Sequence, residues 1–322
     1  MFYKVWEEIS KANNIVLISH INPDGDTLGS TLALFDVLKK AKKDVWLFNI
    51  SKDLPKKYSF LANYKKISNS FPTKQAKIDM LITCDCATFE RTGLKKEEYK
   101  VVNIDHHSTN LNFGDENLVT RDSSSTAMIV YKMFKYNNVN FSKDAATALY
   151  TGIVDDTNFF TSGNLDDKTF LNVSDIVFRG ADINLVSNKL TRNVSLAKFR
   201  LHEHAMNSVD LLKNGRVAKV TIFQSDLQKT GAKREDTEDL ADLMCNLVSV
   251  EFSFLVLEEK NGTFKISLRS KPNGIDVSKI AFKFGGGGHH GAAGFESNLL
   301  NPDDIILKIL HEYDKEKSFV NV

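Results

Sequence analysis

Cysteine, net charge and long apolar runs are all scarce in this sequence. Only three cysteines occur among 322 residues, and an odd number in a chain of this length argues against a disulfide framework and for a reducing compartment. No apolar run approaches the ~18 residues that a transmembrane helix needs, and the first residues lack the basic and then apolar regions of a signal peptide. We therefore expect a cytoplasmic protein without a membrane partner.

The opposite charges nearly cancel. There are 42 Lys and Arg residues against 41 Asp and Glu residues, and the formal net charge is +1. Such a chain has no strong overall field that would attract long nucleic acid, so a polyanionic ligand must be bound locally. The 42% of hydrophobic residues supports a full core, and a chain of this length is suited to two domains.

Short, continuous apolar runs recur in the first half, as is typical of strands buried on both faces. They lie at 14–19, 44–50, 77–85, 99–105 and 116–122. Between the first two, Leu28, Leu32, Phe35 and Leu38 form one apolar stripe of a helix. The order strand, helix, strand predicts an α/β fold with a doubly wound, mainly parallel sheet. Further helices are expected at 125–136, 143–154 and 167–180.

The pattern changes after a polar-rich stretch that runs from 184 to 213. Strands are expected at 216–223, 249–259 and 263–270, with a helix at 235–247 between the first two. We therefore predict a catalytic domain at 1–187, a connecting helix or linker at 188–213 and a smaller α/β domain at 214–322. In the connecting stretch, His202 and His204 cannot share one helix face and are expected to be solvated.

Acidic and histidine-bearing clusters follow three of the predicted strands. His20, Asp24 and Asp26 follow the first strand in HINPDGDTLGS, Asp85 ends the third strand, and Asp105, His106 and His107 end the fourth. Carboxyl ends of parallel strands lie at one edge of a sheet, so these residues are expected to converge on one crevice. Carboxylates crowded in this way need a cation between them.

A fourth contribution is expected from GIVDDT, where Asp155 and Asp156 end an apolar helix. Asp is common at turns, which is the alternative explanation, but a helix C-terminus disfavours further negative charge. For Asp85 the alternative is a residue that simply ends a strand. Cys84 and Cys86 are expected to be small buried hydrophobic residues on the side of the strand opposite to Asp85, since no second cysteine pair suggests zinc.

Carboxylates with one or two imidazoles suit Mn²⁺, with Mg²⁺ as the alternative. Six candidate ligands are too many for one ion and suit two. Two ions ~3.5 to 4 Å apart can supply a nucleophile at neutral pH and clamp both oxygens of a phosphoryl displacement.

Taken together, HINPDGDTLGS, TCDC, IDHH and GIVDDT resemble the four motifs of the DHH phosphoesterases. ISLRS followed by FGGGGHHGAAGF resembles the associated DHHA1 substrate domain. Within that superfamily the chain is similar to the nano-RNase and pAp-phosphatase branch, also called oligoribonucleases. The resemblance spans nearly the whole chain.

The resemblance implies the roles of individual residues. His20, Asp24 and Asp85 would hold one metal, whereas Asp26, Asp85, His106 and Asp156 would hold the other, so that Asp85 bridges the pair. Asp105 would orient the histidines, and His107 would face the substrate phosphate, which makes Asp85, Asp105 and His107 the expected catalytic residues. Asp155 stands where related sequences carry a small or hydroxyl residue, and we take Asp156 as the ligand because it directly precedes Thr157.

Substrate-binding residues are expected in the second domain. Four successive glycines could turn several backbone N–H groups toward one anion, although a flexible turn is an equal alternative. This expectation includes Gly286, Gly287, Gly288 and His289. Arg269 could grip a terminal phosphate in bidentate fashion, the alternative being an exposed strand charge. Residues 123–126 are expected to cap the helix that follows them.

We therefore expect a two-metal, Mn²⁺-dependent phosphoesterase that hydrolyses dinucleotides to roughly pentamers, and pAp to AMP and phosphate, since a cleft of limited length excludes long chains. One alternative is a phosphodiesterase of cyclic dinucleotides or linear pApA. A second alternative, from another class, is a nucleotide-binding module without catalysis. The expected partners are short oligonucleotides and nucleotide bisphosphates, and a homodimer is left open.

Overall fold

The computed structural model describes residues 1–72, 77–95, 98–272, 274–299 and 301–320. The chain divides into two compact units, Met1–Asn193 and Val194–Val322. The first unit contains strands β1 (Asn14–Ser19), β2 (Asp44–Phe48), β3 (Ile67–Ser68), β4 (Met80–Cys84), β5 (Val101–Asp105) and β6 (Glu116–Val119). Its helices are α1 (Phe2–Lys11), α2 (Gly25–Lys40), α3 (Thr126–Tyr136), α4 (Lys143–Asp156), α5 (Asp167–Phe178) and α6 (Ile183–Thr191).

The sheet of the first unit is parallel throughout and has the strand order β3-β2-β1-β4-β5-β6. Both of its faces are covered. In β1, Ile15 and Leu17 pack into the large core with α2, α3 and α4, whereas Val16 and Ile18 pack into a smaller cluster on the other face. The prediction of a doubly wound parallel sheet is therefore confirmed, because a continuous apolar run is buried on both sides.

The second unit is built around a mixed sheet with strands β7 (Asp210–Leu212), β8 (Val217–Ile222), β9 (Phe252–Glu258), β10 (Phe264–Ser270), β11 (Gly287–His289) and β12 (Ala292–Ser297). The order is β11-β12-β10-β9-β8-β7. Only the β8–β9 pair among these neighbours is parallel. The helices are α7 (Leu196–Asn207), α8 (Gln224–Thr230), α9 (Leu240–Cys245), α10 (Val277–Lys283) and α11 (Pro302–Val320).

The stretch expected to be a connecting helix or linker contains a break between two helices. Helix α6 ends at Thr191, and α7 begins at Leu196 after Ser195, whose hydroxyl accepts the N–H of Lys198 at 3.0 Å and caps the helix. The two α7 histidines, which were expected to be solvated, are partly exposed, and each faces a carboxylate. His202 Nε2 lies 3.2 Å from Asp239 Oδ1, and His204 Nε2 lies 3.3 Å from Asp226 Oδ1.

In the described part of the chain, no helix is both long and apolar enough to cross a lipid bilayer.

Candidate metal centre

The candidate site lies where the strand order of the parallel sheet reverses. Strands β1 and β4 are neighbours, and the chain winds outward from them in opposite directions. Open α/β sheets bind ligands in the crevice at such a point, outside the carboxyl ends of the strands. His20 follows β1 and Asp85 follows β4, so the first two predicted clusters flank this crevice.

The loop after β1 is shaped by the N-terminus of α2. Asp24 Oδ1 accepts the N–H groups of Asp26 and Thr27, each at 3.1 Å, and thereby caps the helix. The other oxygen of the same carboxylate, Oδ2, lies 3.5 Å from His20 Nε2. Capping therefore holds Asp24 in the orientation in which it faces the imidazole.

Asp26 is buried in the first turn of α2 and is held by the N-terminus of α3. Its Oδ2 accepts the N–H of Thr126 at 2.6 Å, and its Oδ1 accepts the N–H of Ala127 at 2.8 Å. A helix N-terminus favours such a negative charge. The prediction that residues 123–126 cap α3 is confirmed, because Ser125 Oγ accepts the N–H of Met128 at 3.1 Å.

Two glycines let the helices approach closely enough to bring Asp26 to the site. A Cβ on Gly29 of α2 would lie 2.3 Å from the carbonyl oxygen of Ala148 in α4, and a Cβ on Gly152 would lie 3.0 Å from Asp26 Oδ1. Neither position has space for a side chain. The glycines thereby permit close packing of α2 against α4, at whose end Asp156 lies.

Asp85 lies at the centre of the cluster, and its backbone is in the left-handed region with φ +62°. Its Oδ2 lies 3.4 Å from His20 Nε2, whereas its Oδ1 lies 3.6 Å from His106 Nε2. Each oxygen of one carboxylate thus faces a different imidazole. The expected strand alternation through Cys84, Asp85 and Cys86 was wrong, because β4 ends at Cys84 and the chain bends at Asp85. Both cysteines are buried, as predicted.

The DHH segment after β5 completes the cluster. His106 Nε2 lies 3.4 Å from Asp156 Oδ2 and 4.0 Å from Asp26 Oδ2. The groups His20–Asp24–Asp85, Asp85–His106–His107 and Asp26–His106–Asp156 each place one ligand atom per residue within 4.8 Å of one another. The structure therefore brings all six predicted metal ligands together.

His20 and His106 each present a ring nitrogen that can bind a metal ion. His20 Nδ1 lies 2.9 Å from the carbonyl oxygen of Ile21, and His106 Nδ1 lies 3.3 Å from that of Ser123. A Nδ1–H that donates to a carbonyl leaves the lone pair on Nε2, the atom that faces the carboxylates in both residues. This arrangement is typical of histidine ligands in proteins.

Electrostatic repulsion in the cluster is strong. Burial, together with the charges of Asp85 and Asp156, raises the pKa of Asp26 well above its usual range. Partial burial and the charges of Asp85 and Asp24 raise the pKa of Asp156 to about 8. Burial by itself would lower the pKa of His20, but its contacts with Asp24 and Asp85 raise it to about 10. Protons or divalent cations must neutralise these carboxylates.

His107 is oriented by a buried pair of residues next to the cluster. Its Nδ1 donates to Asp105 Oδ1 at 2.8 Å, and the other oxygen of Asp105 accepts from the Asn110 amide. Burial would lower the pKa of His107, but the hydrogen bond to Asp105 and the negative charges of Asp85 and Asp105 raise it to about 9. No pattern in the sequence points to Asn110, since a lone Asn in a turn is common.

Asp155 is held by residues other than the six predicted ligands. Its Oδ2 accepts the N–H of Gly25 at 3.0 Å and the hydroxyl of Tyr58 at 2.7 Å. Asp156, in contrast, faces His106. Of the two adjacent acids, the geometry places Asp156 among the candidate ligands and Asp155 in a supporting position.

Apart from His107, the predicted substrate residues lie in the second unit. Arg269 on β10 donates from Nε to Asp242 Oδ1 at 2.8 Å. Gly287, Gly288 and His289 form the edge strand β11, and the position of a Cβ on Gly287 is open space. The expected convergence of glycine N–H groups on one anion was wrong in part. The N–H groups of Gly285 and Gly286 donate to the carbonyls of Phe282 and Ala281 and so terminate α10.

A parallel α/β sheet with clustered carboxylates and imidazoles at its topological switch point defines a protein with a candidate divalent metal site. The DHH family, N-terminal domain, matches residues 14–153, and the DHHA1 domain matches residues 215–315. The chain therefore carries a DHH family N-terminal domain and a DHHA1 domain. The resemblance inferred from the motifs is therefore confirmed.

Several curated proteins are similar over most of the chain. The bifunctional oligoribonuclease and PAP phosphatase NrnA of Thermus thermophilus is 27% identical over 302 residues, which cover 94% of this chain and 90% of that protein. The protein of the same name from Bacillus subtilis is 27% identical over 315 residues and is covered to 97%. The crystal structure of an exopolyphosphatase-related protein from Bacteroides fragilis has a TM-score of 0.89 at 22% identity, covering 100% of this chain and 97% of that one.

More distant relatives carry another name. The cyclic-di-AMP phosphodiesterase GdpP of Bacillus subtilis is 24% identical over 337 residues, which cover 96% of this chain but only 49% of GdpP.

Proposed function

We propose that the chain is a phosphoesterase that hydrolyses dinucleotides to roughly pentamers into mononucleotides, and pAp into AMP and phosphate. The observation that carries the proposal is the position of Asp85, whose two oxygens face His20 on one side and His106 on the other. The names of the NrnA relatives from Thermus thermophilus and Bacillus subtilis support this substrate class.

The residues present fit two divalent ions. His20, Asp24 and Asp85 would hold the first ion, and Asp26, Asp85, His106 and Asp156 would hold the second. Two imidazole nitrogens among hard carboxylate oxygens favour Mn²⁺ over Mg²⁺, although Mg²⁺ suits the carboxylates. When bound, the ions would activate water and neutralise the charge that develops on phosphate.

Residues of the chain around the ions would orient the reacting groups. Asp105 and Asn110 hold the His107 ring, and we assign to His107 a hydrogen bond to a phosphate oxygen. Thr126 Oγ1 donates to Asp85 Oδ1 at 3.0 Å and limits rotation of the carboxylate that would contact both ions. Preorganised donors of this kind stabilise charge that develops in the transition state.

The second unit would bind the nucleotide. We assign the phosphate grip to Arg269 and nucleotide contacts to Gly286, Gly287, Gly288 and His289. Arg269 would exchange Asp242 for the substrate phosphate, and exposed β11 offers backbone groups at the edge of its sheet. Short oligonucleotides are formed where the longer polymer is degraded. We therefore propose that the protein acts in the cytoplasm.

Hydrolysis of a defined set of substrates tests the proposal. The purified protein is incubated with Mn²⁺ and, separately, with pAp, labelled dimers to pentamers, pApA, cyclic di-AMP and pyrophosphate. We expect turnover of pAp and of the short oligonucleotides, and its loss in Asp85→Asn. The matched control is Asp144→Asn, which changes an exposed acid in the first turn of α4. Preferred turnover of cyclic di-AMP would contradict the proposal in favour of the first alternative.

The relationship to GdpP favours a cyclic dinucleotide as the second candidate substrate. A binding module without catalysis is less well supported, since it would not need an intact Asp85 between two imidazoles. Tight binding of pAp without turnover of any of the substrates would identify such a module.

A further inference from the structure

Arg91 is a cation at the candidate metal centre to which neither the motifs nor the family relationship assign a role. It lies in the short 3₁₀ turn Phe89–Thr92, which follows Asp85 in the chain. Its Nη2 lies 3.2 Å from His20 Nδ1, and the residue is exposed. The segment that provides Asp85 therefore also brings a guanidinium to the rim of the cluster.

The backbone of Arg91 is held firmly against the loop after β1. Its carbonyl accepts the N–H of Ile21 at 2.8 Å, and the neighbouring Thr92 is buried. Gly93 ends the turn with φ +72°, and a Cβ there would lie 2.7 Å from Ile50 Cγ2. A fixed backbone with an exposed guanidinium is well suited to bind a ligand at the rim of the site.

The guanidinium of Arg91 has no carboxylate partner within the described residues. Three of the other arginines are paired with a carboxylate: Arg269 with Asp242 at 2.8 Å, Arg179 with Asp175 at 2.8 Å and Arg234 with Glu259 at 2.7 Å. Arg91 therefore keeps a full positive charge available to an incoming anion. The His20 ring lies between the Arg91 guanidinium and the carboxylate oxygens of Asp24 and Asp85.

The tautomer of His20 determines whether Arg91 has an acceptor. If Nδ1–H donates to the Ile21 carbonyl at 2.9 Å, Nε2 is available to a metal, and Nδ1 cannot accept a hydrogen bond from Arg91. The donors of Nη2 then have no acceptor on the imidazole. The tautomer that suits metal binding thus also leaves Arg91 ready to bind another group.

We propose that Arg91 is a substrate-binding residue that donates to a nonbridging oxygen of the substrate phosphate at the metal centre. A planar guanidinium matches the oxygens of a phosphate, and its charge offsets the repulsion between a phosphate and the surrounding carboxylates. This inference rests on the proposed phosphoesterase function. It assigns a second phosphate contact to the first unit, in addition to His107 there and to Arg269 in the second unit.

Three variants test the proposal: Arg91→Ala, Arg91→Lys and, as the matched control, Arg192→Ala. Arg192 is an exposed arginine of the same unit at the end of α6. For each protein, kcat and KM are measured with pAp, and the dissociation constants of AMP in the presence of Mn²⁺ and of Mn²⁺ alone are measured by calorimetry. The melting temperature reports on folding.

For Arg91→Ala we expect KM for pAp and the dissociation constant of AMP to rise roughly 10- to 100-fold, as for loss of a charged hydrogen bond. Lysine keeps a point charge without the planar fork and should restore part of the loss. The affinity for Mn²⁺ and the melting temperature should equal those of the control.

Two results would overturn the proposal. One is unchanged KM and AMP binding in Arg91→Ala. The other is a loss of Mn²⁺ affinity that matches the loss of AMP binding, which would mean that Arg91 acts through His20. If the wild-type protein hydrolyses none of the substrates, the phosphoesterase proposal fails. The AMP-binding measurements still test whether Arg91 binds a phosphate. Equal AMP binding by wild type and Arg91→Ala, or none by either, would then refute it.

Discussion

The hydroxyl of the buried Tyr58 donates to Asp155 Oδ2 at 2.7 Å, and the same oxygen accepts the N–H of Gly25 at 3.0 Å. Gly25 lies between Asp24 and Asp26, whereas Asp155 immediately precedes Asp156. A Cβ on Gly25 would lie 2.6 Å from the Cβ of Asp155, so the two residues are in close contact. One carboxylate therefore ties the loop after β1 to the end of α4, and both segments carry candidate metal ligands.

We expect Asp155→Ala to weaken Mn²⁺ binding by about 10- to 100-fold, as is typical when a residue that orients metal ligands is lost. It should also lower the free energy of unfolding of the metal-free protein by about 1–3 kcal/mol, because two buried donors lose their acceptor. Calorimetric titration and urea unfolding measure the two effects. Asp155→Asn retains one acceptor oxygen and should have the smaller effect on both. Wild-type Mn²⁺ affinity in Asp155→Ala would show that the tie does not position the ligands.

Asp85→Asn should lower turnover by several orders of magnitude while leaving the fold intact. Asn has the shape of Asp and tolerates the left-handed backbone at φ +62°, but its neutral amide cannot offer an anionic oxygen to each of two ions. Steady-state turnover of pAp and far-ultraviolet circular dichroism provide the measurements. Near-normal turnover, at the level of Asp144→Asn, would refute a bridging role for Asp85.

Divalent ions should stabilise the folded protein. Burial and the neighbouring carboxylates raise the pKa values of Asp26 and Asp156, so an ion that neutralises these residues binds the folded chain preferentially. At a Mn²⁺ concentration about 100 times the dissociation constant, the free energy of unfolding should rise by about 2.7 kcal/mol. Thermal melts with a chelator and with added Mn²⁺ measure this difference. Identical melting in both conditions would count against a metal centre, and Asp85→Asn should show a reduced shift.

Arg269→Ala should raise KM for pAp roughly tenfold or more with a smaller change in kcat, because the arginine would contact a phosphate away from the reacting bond. Asp242→Asn is the informative control. It removes the ion pair of 2.8 Å that Arg269 makes in this structure, so substrate should bind as tightly as in the wild type or more tightly. An unchanged KM in Arg269→Ala would refute the proposal that Arg269 binds a substrate phosphate.

The elements that were predicted well are those with strong local patterns. The run at 14–19 coincides with β1, and the stripe through Leu28 and Leu38 lies on α2. A strand buried on both faces gives a continuous apolar run, whereas a helix buried on one face gives apolar residues three or four positions apart. Short edge strands such as β3 and β11 were missed. They contain two and three residues, too few for a period, and pairing with a neighbouring strand decides whether they form.

The sequence by itself determined the doubly wound parallel sheet and the convergence of the acidic and histidine clusters, since the carboxyl ends of parallel strands must share one edge. Only the tertiary structure decided how each group is held there. It placed Asp26 against the N-terminus of α3, turned Asp85 into the left-handed region, tied Asp155 to Tyr58 and brought Arg91 beside His20. The contacts of Asp26, Asp155 and Arg91 join residues far apart in the chain. Their geometry, like the backbone conformation of Asp85, depends on packing between elements, which leaves no periodic signal in the sequence.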